Sequence, residues 1–431
     1  MDMEFVTMRQ VMRRLMPLVI ACYFVAYLDR VNVSFAALQM NRQLSLSASA
    51  YGFGAGLFFI TYLICEIPSN LAMHRFGARR WISRIMLTWG ICAMGMAFVQ
   101  GPKTFFLGRG LLGAAEAGLN PGMLLYFTLW FPARYRARMT GYLYVAVPLS
   151  IVVGAPLSGL LLTMNGLWGL AGWQWMFLLE GLPAVLLSFY VFAVMADRPS
   201  QAKWLSPDRA AWLEERISLE TRSKASPVKG SLKDALTDWR VLWLGIVFFS
   251  DVALNNAIGF YLPQIVKSFG LTYAQTGFVS AIPGLIAIVC MILWCRHSDR
   301  HEERKWHSAL PLVLGGLALI ASTLFHEPVL RMIALTLATI GTLAFVPIFW
   351  TIPSSYFTGA AAAAGLAAIS SIGILGGAVA PWLVGIFKDL TGSFNTGQSI
   401  VGAFAVLCGI ALLIARTERS IATDQRVADG T

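Results

Sequence analysis

The chain has 431 residues, 57% of them hydrophobic and only 13% charged. Soluble domains carry roughly 25% charged residues, so this composition excludes a soluble enzyme of such length and points to a polytopic membrane protein. The net charge of +11 would suit a nucleic-acid partner, but the placement of the charges argues against one.

Twelve apolar segments follow in order: 15–37, 51–73, 82–100, 104–130, 138–163, 173–195, 239–265, 272–295, 309–325, 330–352, 361–388 and 396–416. Their lengths suit helices that cross a ~30 Å hydrocarbon layer at ~1.5 Å rise per residue. The first is too long for a signal peptide and carries charges, so it is expected to remain as a spanning helix. One long polar interruption, 197–238, holds Pro199, Pro207, Pro227 and dense charge. It reads as a cytoplasmic linker between a first half, 1–196, and a second half, 239–431, which ends in a short cytoplasmic tail. Within it, Pro207–Thr221 reads as a surface helix with Trp212, Leu213 and Ile217 against the lipid headgroups.

Of the 33 Lys and Arg, 26 fall in the amino terminus, alternate loops and carboxy terminus, 5 in the other loops, and two, Arg30 and Arg109, inside spans. This positive-inside pattern predicts that both termini are cytoplasmic, in a cell's inner (plasma) membrane. The six cysteines lie in or beside apolar segments without metal-ligand spacing and read as small hydrophobes. No metal or other cofactor is expected.

Two echoes suggest an internal duplication. The loop Asn70-x3-His74-Arg75-x-Gly77-x2-Arg80 follows span 2, and Cys295-x3-Asp299-Arg300-x3-Arg304 follows span 8. Span 5 carries Gly154-Ala155-Pro156-x2-Gly159, and span 11 carries Gly376-Gly377-x3-Pro381-x3-Gly385. Duplicated halves around a central site are a recurring transporter architecture.

The polar residues inside spans carry the functional reading, since a charge near the middle of a spanning helix costs at least ~2.5–3.5 kcal/mol. Asp29 and Arg30 stand side by side in span 1. Adjacent residues point about 100° apart on a helix, so each needs a partner on another helix, or a ligand. Tyr23, Tyr27 and Arg30 share one stripe, hydroxyls beside a guanidinium, which suits a carboxylate bound bidentately. The competing reading is a scaffold tying span 1 to a neighbour. Arg109 and Glu116 lie nearly two turns apart on one face of span 4, about 10 Å from each other, so they do not satisfy one another. Burial among apolar neighbours favours the neutral carboxyl, which suits Glu116 to carry a proton; a structural charge cluster is the alternative.

Tyr62 offers a cavity hydroxyl. Glu66, one turn further along span 2, reads as a gate or structural ion pair with Arg75 or a basic residue near span 4, rather than as a proton site. Asp251 in span 7 would repel an anion unless protonated or paired, so it is either a departure in substrate or a pairing residue. Glu180 in span 6 has no assigned role. The run Arg75, Arg79, Arg80 and Arg84, and its copy around Asp299 and Arg300, read as topology signals and a cytoplasmic gate, not as a nucleic-acid surface. His297, His301, His307 and His326 read as solvated residues in or near loops.

With these residues in view, the chain resembles the major facilitator superfamily. Its two basic loops resemble that superfamily's signature between helices 2 and 3 and the weaker copy between 8 and 9. Four stretches are similar to the anion:cation symporter family, which includes permeases for tartrate, phthalate, sugar acids and hydroxyphenylacetate. They are Tyr27-x-Asp29-Arg30-x-Asn32, Glu66-Ile67-Pro68-Ser69-Asn70, Arg109-x3-Gly113-x2-Glu116-Ala117-Gly118-x2-Pro121-Gly122, and Trp130-Phe131-Pro132.

The resemblance implies an all-α membrane protein with 12 transmembrane helices in two six-helix halves around a central cavity. It implies that Asp29 and Glu116 take the proton, that Arg30 meets the anion, and that Arg109 organises the acids. It also places Trp350 and Ser370 on the far wall, although a position in the interfacial aromatic belt competes for Trp350. The chain departs from the pattern at His74, where the superfamily has Asp, and at Ser370-Ser371-Ile372-Gly373-Ile374, where the family commonly places Asn. Asp251, Asn255 and Asn256 stand where aromatics are common.

The expected function is proton-coupled symport of a small organic carboxylate by alternating access. The expected carrier is a monomer whose partners are the anion, protons and the lipid bilayer. An exporter or exchanger would use the same parts. A membrane sensor or embedded enzyme fits poorly, because the sequence offers no nucleophile with a base, no metal cluster and no phosphate loop.

Overall fold

The computed structural model describes residues 3–224, 238–356 and 359–414, and every regular element among them is a helix. Eleven are long and apolar enough to cross a membrane. The remaining expected span is the fourth, and it is broken into Pro102–Glu116 and Leu119–Trp130. Gly118 joins the pieces at φ +88°, and a Cβ there would meet Ser69 Oγ at 2.4 Å, so both conformation and space call for glycine. The continuous helix expected over 104–130 is corrected accordingly: hydropathy runs on where the backbone does not. Glu116 becomes the last residue of a half-helix. Span 7 also breaks after Gly259 and resumes as Leu262–Lys267. With these breaks counted within their spans, the twelve-span helical architecture is present.

The first six spans meet the last six along two seams, span 2 (Ala48–Phe76) on span 11 (Gly359–Thr391) and span 5 (Ala133–Met164) on span 8 (Tyr273–His301). A Cβ on Gly52 would lie 2.2 Å from the Pro381 carbonyl oxygen, and one on Gly277 would lie 2.5 Å from that of Ala155. Small residues permit such backbone approach between membrane helices. The Gly/Pro echoes of spans 5 and 11 fall on these seams, with Gly159 against Tyr273 and Gly385 against Ala48.

Polar contacts also hold the halves together where span 2 begins. Tyr51 Oη donates to the carbonyls of Val33 and Phe260, both at 3.3 Å, and Tyr261 Oη donates to Pro381 at 2.6 Å. Asp389, at the end of span 11, accepts from the N–H groups of Ala48 (2.9 Å) and Ser49 (2.8 Å). It thereby satisfies donors that the first turn of span 2 would otherwise leave unpaired.

The surface helix forms over Pro207–Lys224, but it does not rest on lipid. Leu213 is fully buried, and Trp212 and Ile217 pack with it into the core of the first six spans. Trp204 stacks on Trp130 at 5.6 Å, while Glu214 and Glu220 accept from the N–H groups of Ser200 and Ala133, each at 2.9 Å. The expectation of a headgroup contact fails because the protein itself offers this apolar face a dry partner. The rest of the expected linker, 225–237, and the tail beyond 414 lie outside the described residues.

Candidate functional site

Arg30 leaves span 1 toward the break in span 4. Its Nε and Nη2 both donate to Glu116 Oε1, at 2.8 and 2.5 Å. The Arg30 side chain is 26% exposed and that of Glu116 only 1%. Glu116 Oε2 is buried and has no hydrogen-bond partner among the described residues. The pair is therefore one-sided, with one carboxylate oxygen taking both bonds. Burial makes Glu116 a costly carboxylate, and so does its place at the carbonyl end of a half-helix, where the backbone dipoles are negative. Arg30 offsets both effects. The guanidinium lies 4.7 Å from the Tyr27 ring centre and 5.4 Å from those of Phe58 and Tyr62. Tyr23 Oη donates to Tyr27 Oη at 3.5 Å. The structure thus brings the expected Tyr23, Tyr27 and Arg30 stripe together and sets Tyr62 beside it.

Asp29 faces another way. It accepts from Trp89 Nε1 of span 3 at 2.7 Å and from Asn32 Nδ2 at 2.6 Å, and it is almost fully buried. Two adjacent charges therefore serve two different neighbours, as the helical angle between them requires. Nothing in the sequence marks Trp89, because a Trp in an apolar span looks the same as a core or belt aromatic. Arg109 is 2% exposed, with its guanidinium 4.9 Å from the Phe58 ring centre and its Nε without a hydrogen-bond partner. It lies within electrostatic reach of Asp29, Glu116 and Tyr51 and ion-pairs with none of them among the described residues.

The remaining expected residues sit further out. No ion pair joins Glu66 to Arg75 among the described residues. Nine positions put the two on opposite sides of one helix, and Arg75 is exposed against Phe76 while Glu66 feels the charge of Arg30. Asp299 pairs with Arg304 at 2.6 Å, and Arg300 is exposed. Trp350 packs edge-on against Phe248, 4.9 Å between ring centres, and Ser370 is half-buried. No hydrogen bond, ring contact or ion pair joins either to Arg30 or Tyr62 among the described residues.

Asp251 is 2% exposed and has an unpartnered Oδ1. No ion pair reaches it among the described residues. His307 is not solvated as expected: it packs against Trp294, donates through Nδ1 to Glu303 Oε2 at 2.8 Å, and meets His297 at 2.7 Å. Partial burial would raise the Glu303 carboxyl, but bonds from the Trp306 and His307 N–H groups and the His307 ring hold it below the usual range.

An apolar groove of about 540 Å³, lined by residues such as Val279, Ile282, Met332 and Ile333 of spans 8 and 10, carries no cation. The Arg30 region, by contrast, combines a half-exposed guanidinium, hydroxyls and buried carboxyls. A twelve-span helical protein with such a constellation inside the membrane is a transporter rather than an enzyme.

The chain belongs to the Major Facilitator Superfamily, which its residues 19–381 match. It is 46% identical over 413 residues to the Agrobacterium vitis protein named "Putative tartrate transporter", covering 96% of this chain and 95% of that one. It is 40% identical over 411 residues to the "Quinolone resistance transporter" of Acinetobacter baumannii, covering 94% and 95%. The fold also matches the crystal structure of a D-xylose-proton symporter with a TM-score of 0.74, at 16% identity, over 93% of this chain and 97% of the other.

Proposed function

We propose that the protein takes up a small organic carboxylate together with protons across a cell's inner membrane, acting as a monomer with both termini in the cytoplasm. The observation that carries this reading is the Arg30–Glu116 pair. Glu116 occupies the guanidinium that a substrate carboxylate needs. Protonating Glu116 removes the competing charge and frees Arg30 for the anion, so proton and anion binding favour one another reciprocally. Asp29 is the second proton acceptor, and Arg109, between the acids, organises them. Tyr27 and Tyr62 line the anion's seat, with Trp350 and Ser370 on the facing wall.

With the basic loops inside, the end held by Asp389 and Tyr261 is the outer one, and these contacts favour the conformation shut on that side. The loops around Arg75 and around Asp299 and Arg300, with Glu66, form the inner gate. Alternating access then follows from the different affinities of the two conformations for proton and anion. The tartrate name of the Agrobacterium relative supports a carboxylate cargo.

Proteoliposomes loaded with buffer and given an inward proton gradient test this with radiolabelled tartrate. Accumulation above equilibrium that a protonophore collapses is expected, whereas uptake indifferent to the gradient overturns the coupling. The Acinetobacter relative named for quinolone resistance favours a second reading, an exporter or exchanger. Flux only outward, or only against a counter-anion, would select it.

A further inference from the structure

Glu180, in span 6 (Gly172–Val194), has no part in the scheme above, yet it is the other buried acid of the first six spans. It is 1% exposed. Ser158 of span 5 donates to its Oε1 at 2.8 Å, while Oε2 has no hydrogen-bond partner among the described residues. From span 1, the Asn32 amide bonds to Asp29 at 2.6 Å, and both Asn32 and the charge of Asp29 act electrostatically on Glu180. Asn32 Oδ1 is itself buried and unpartnered. Span 3 contributes Trp89 and Cys92 beside Asp29. The short turns Met96–Phe98 and Leu162–Met164 packed on span 6 contain no ionisable side chain.

Arg30 and Arg109 act on Asp29, but no cation acts on Glu180 among the described residues. Both cations of the cluster lie on the Asp29 side, and a second carboxylate that no cation pairs with among the described residues cannot stay charged in a dry interior. The cluster also has two acceptors too many, Glu180 Oε2 and Asn32 Oδ1. A proton on Glu180 converts one of those orphan acceptors into a donor.

We infer that Glu180 holds a proton and forms with Asp29, through Asn32, one coupled proton-binding unit spanning helices 1 and 6. Its use in transport rests on the proton-coupled reading above; its existence does not. The role separates from a purely structural Ser158–Glu180 clamp, because a clamp needs no proton and no link to Asp29.

The test is infrared difference spectroscopy of the full-length protein in lipid nanodiscs, titrated with pH in H₂O and D₂O with no substrate present. A deuterium-sensitive carboxylic-acid C=O band is expected. It disappears in Glu180→Gln, which retains an acceptor for Ser158, and it changes frequency in Asn32→Ala, where its hydrogen-bond partner is gone. In Asp29→Asn the band persists, but the pH at which it vanishes moves by about one unit or more, the mark of an interacting pair. A Glu180→Gln spectrum superimposable on the wild type overturns the inference, as does a Glu180 band indifferent to Asp29→Asn. Since no anion is added, a failure here is independent of a failure of the gradient experiment.

Discussion

The two sets of six spans match in outline and differ in chemistry. The first set buries Asp29, Arg109, Glu116 and Glu180 and half-buries Arg30. Among the described residues, the second set buries one carboxyl, Asp251, and otherwise only hydroxyls, amides and His307. In place of charges it offers rings, with Phe248 stacked on Phe349 at 5.4 Å and edge-on to Trp350, and the Asn255–Thr342 hydrogen bond at 3.1 Å. What the two sets share is geometric: glycine-lined seams and basic loops. A carrier whose halves rock against each other gains from this arrangement. Ion pairs kept within one half are not pulled apart by the rocking itself, which would cost several kcal/mol per buried charge left unpaired, so Arg30 leaves Glu116 only when the proton and the anion arrive. The ring-lined half can then slide past the charged half without the motion itself separating charges.

The largest effect expected from this asymmetry comes at Arg30. Arg30→Ala removes the one half-exposed cation of the site and strands Glu116, so anion binding should fall roughly 100-fold or more. The check is a thermal-shift screen of sugar acids, aromatic acids and dicarboxylates on the purified protein, followed through the dependence of the gain on ligand concentration. Unchanged affinity for the best ligand would remove Arg30 from the site and move the search for the anion's seat to the second half. A smaller and more selective effect is expected at the carboxyls. Glu116→Gln and Asp29→Asn should each reduce proton-driven accumulation about tenfold or more while leaving anion exchange across the membrane in place. Full proton-driven uptake in both variants would show that coupling lies outside these two acids and would break the comparison between the halves.

The sequence disclosed this asymmetry for a physical reason. Charges within apolar runs are so costly that each stands out, and Asp29, Arg30, Arg109 and Glu116 were all visible on that ground. The angle between neighbours on a helix was enough to separate Asp29 from Arg30. Their partners were less accessible. Trp89 donates to Asp29 from a segment whose composition matches any other span, so no local signal marks it. The break after Glu116 was hidden because hydropathy is blind to φ, although Gly118 and Pro121 lay in a stretch already singled out. The packing of Trp212 and Leu213 depends on where span 1 and span 4 end in space, which periodicity does not report. Glu180 looked isolated until the fold brought Asn32 and Ser158 to it.

The smallest predicted effect concerns the seam itself, where the halves meet without any membrane-embedded ion pair among the described residues. Asp389 caps span 2 across that seam, accepting from Ala48 and Ser49, while Ser47 Oγ, from within the first half, already accepts from the Ala50 N–H at 3.1 Å. Asp389→Ala leaves the Ser47 cap and the Tyr51 and Tyr261 bonds in place, so its cost is that of one helix cap, about 1 kcal/mol. Only the conformation closed at this end has the contact, so its population relative to the open one should fall about fivefold. Distance distributions between spin labels on the exposed ends of spans 2 and 11, with and without the substitution, measure that ratio directly. An unchanged distribution would mean that glycine packing alone holds the seam. A shift far beyond fivefold would mean that a charge does hold the halves together, and that the division between a charged half and an uncharged half stops at the membrane surface.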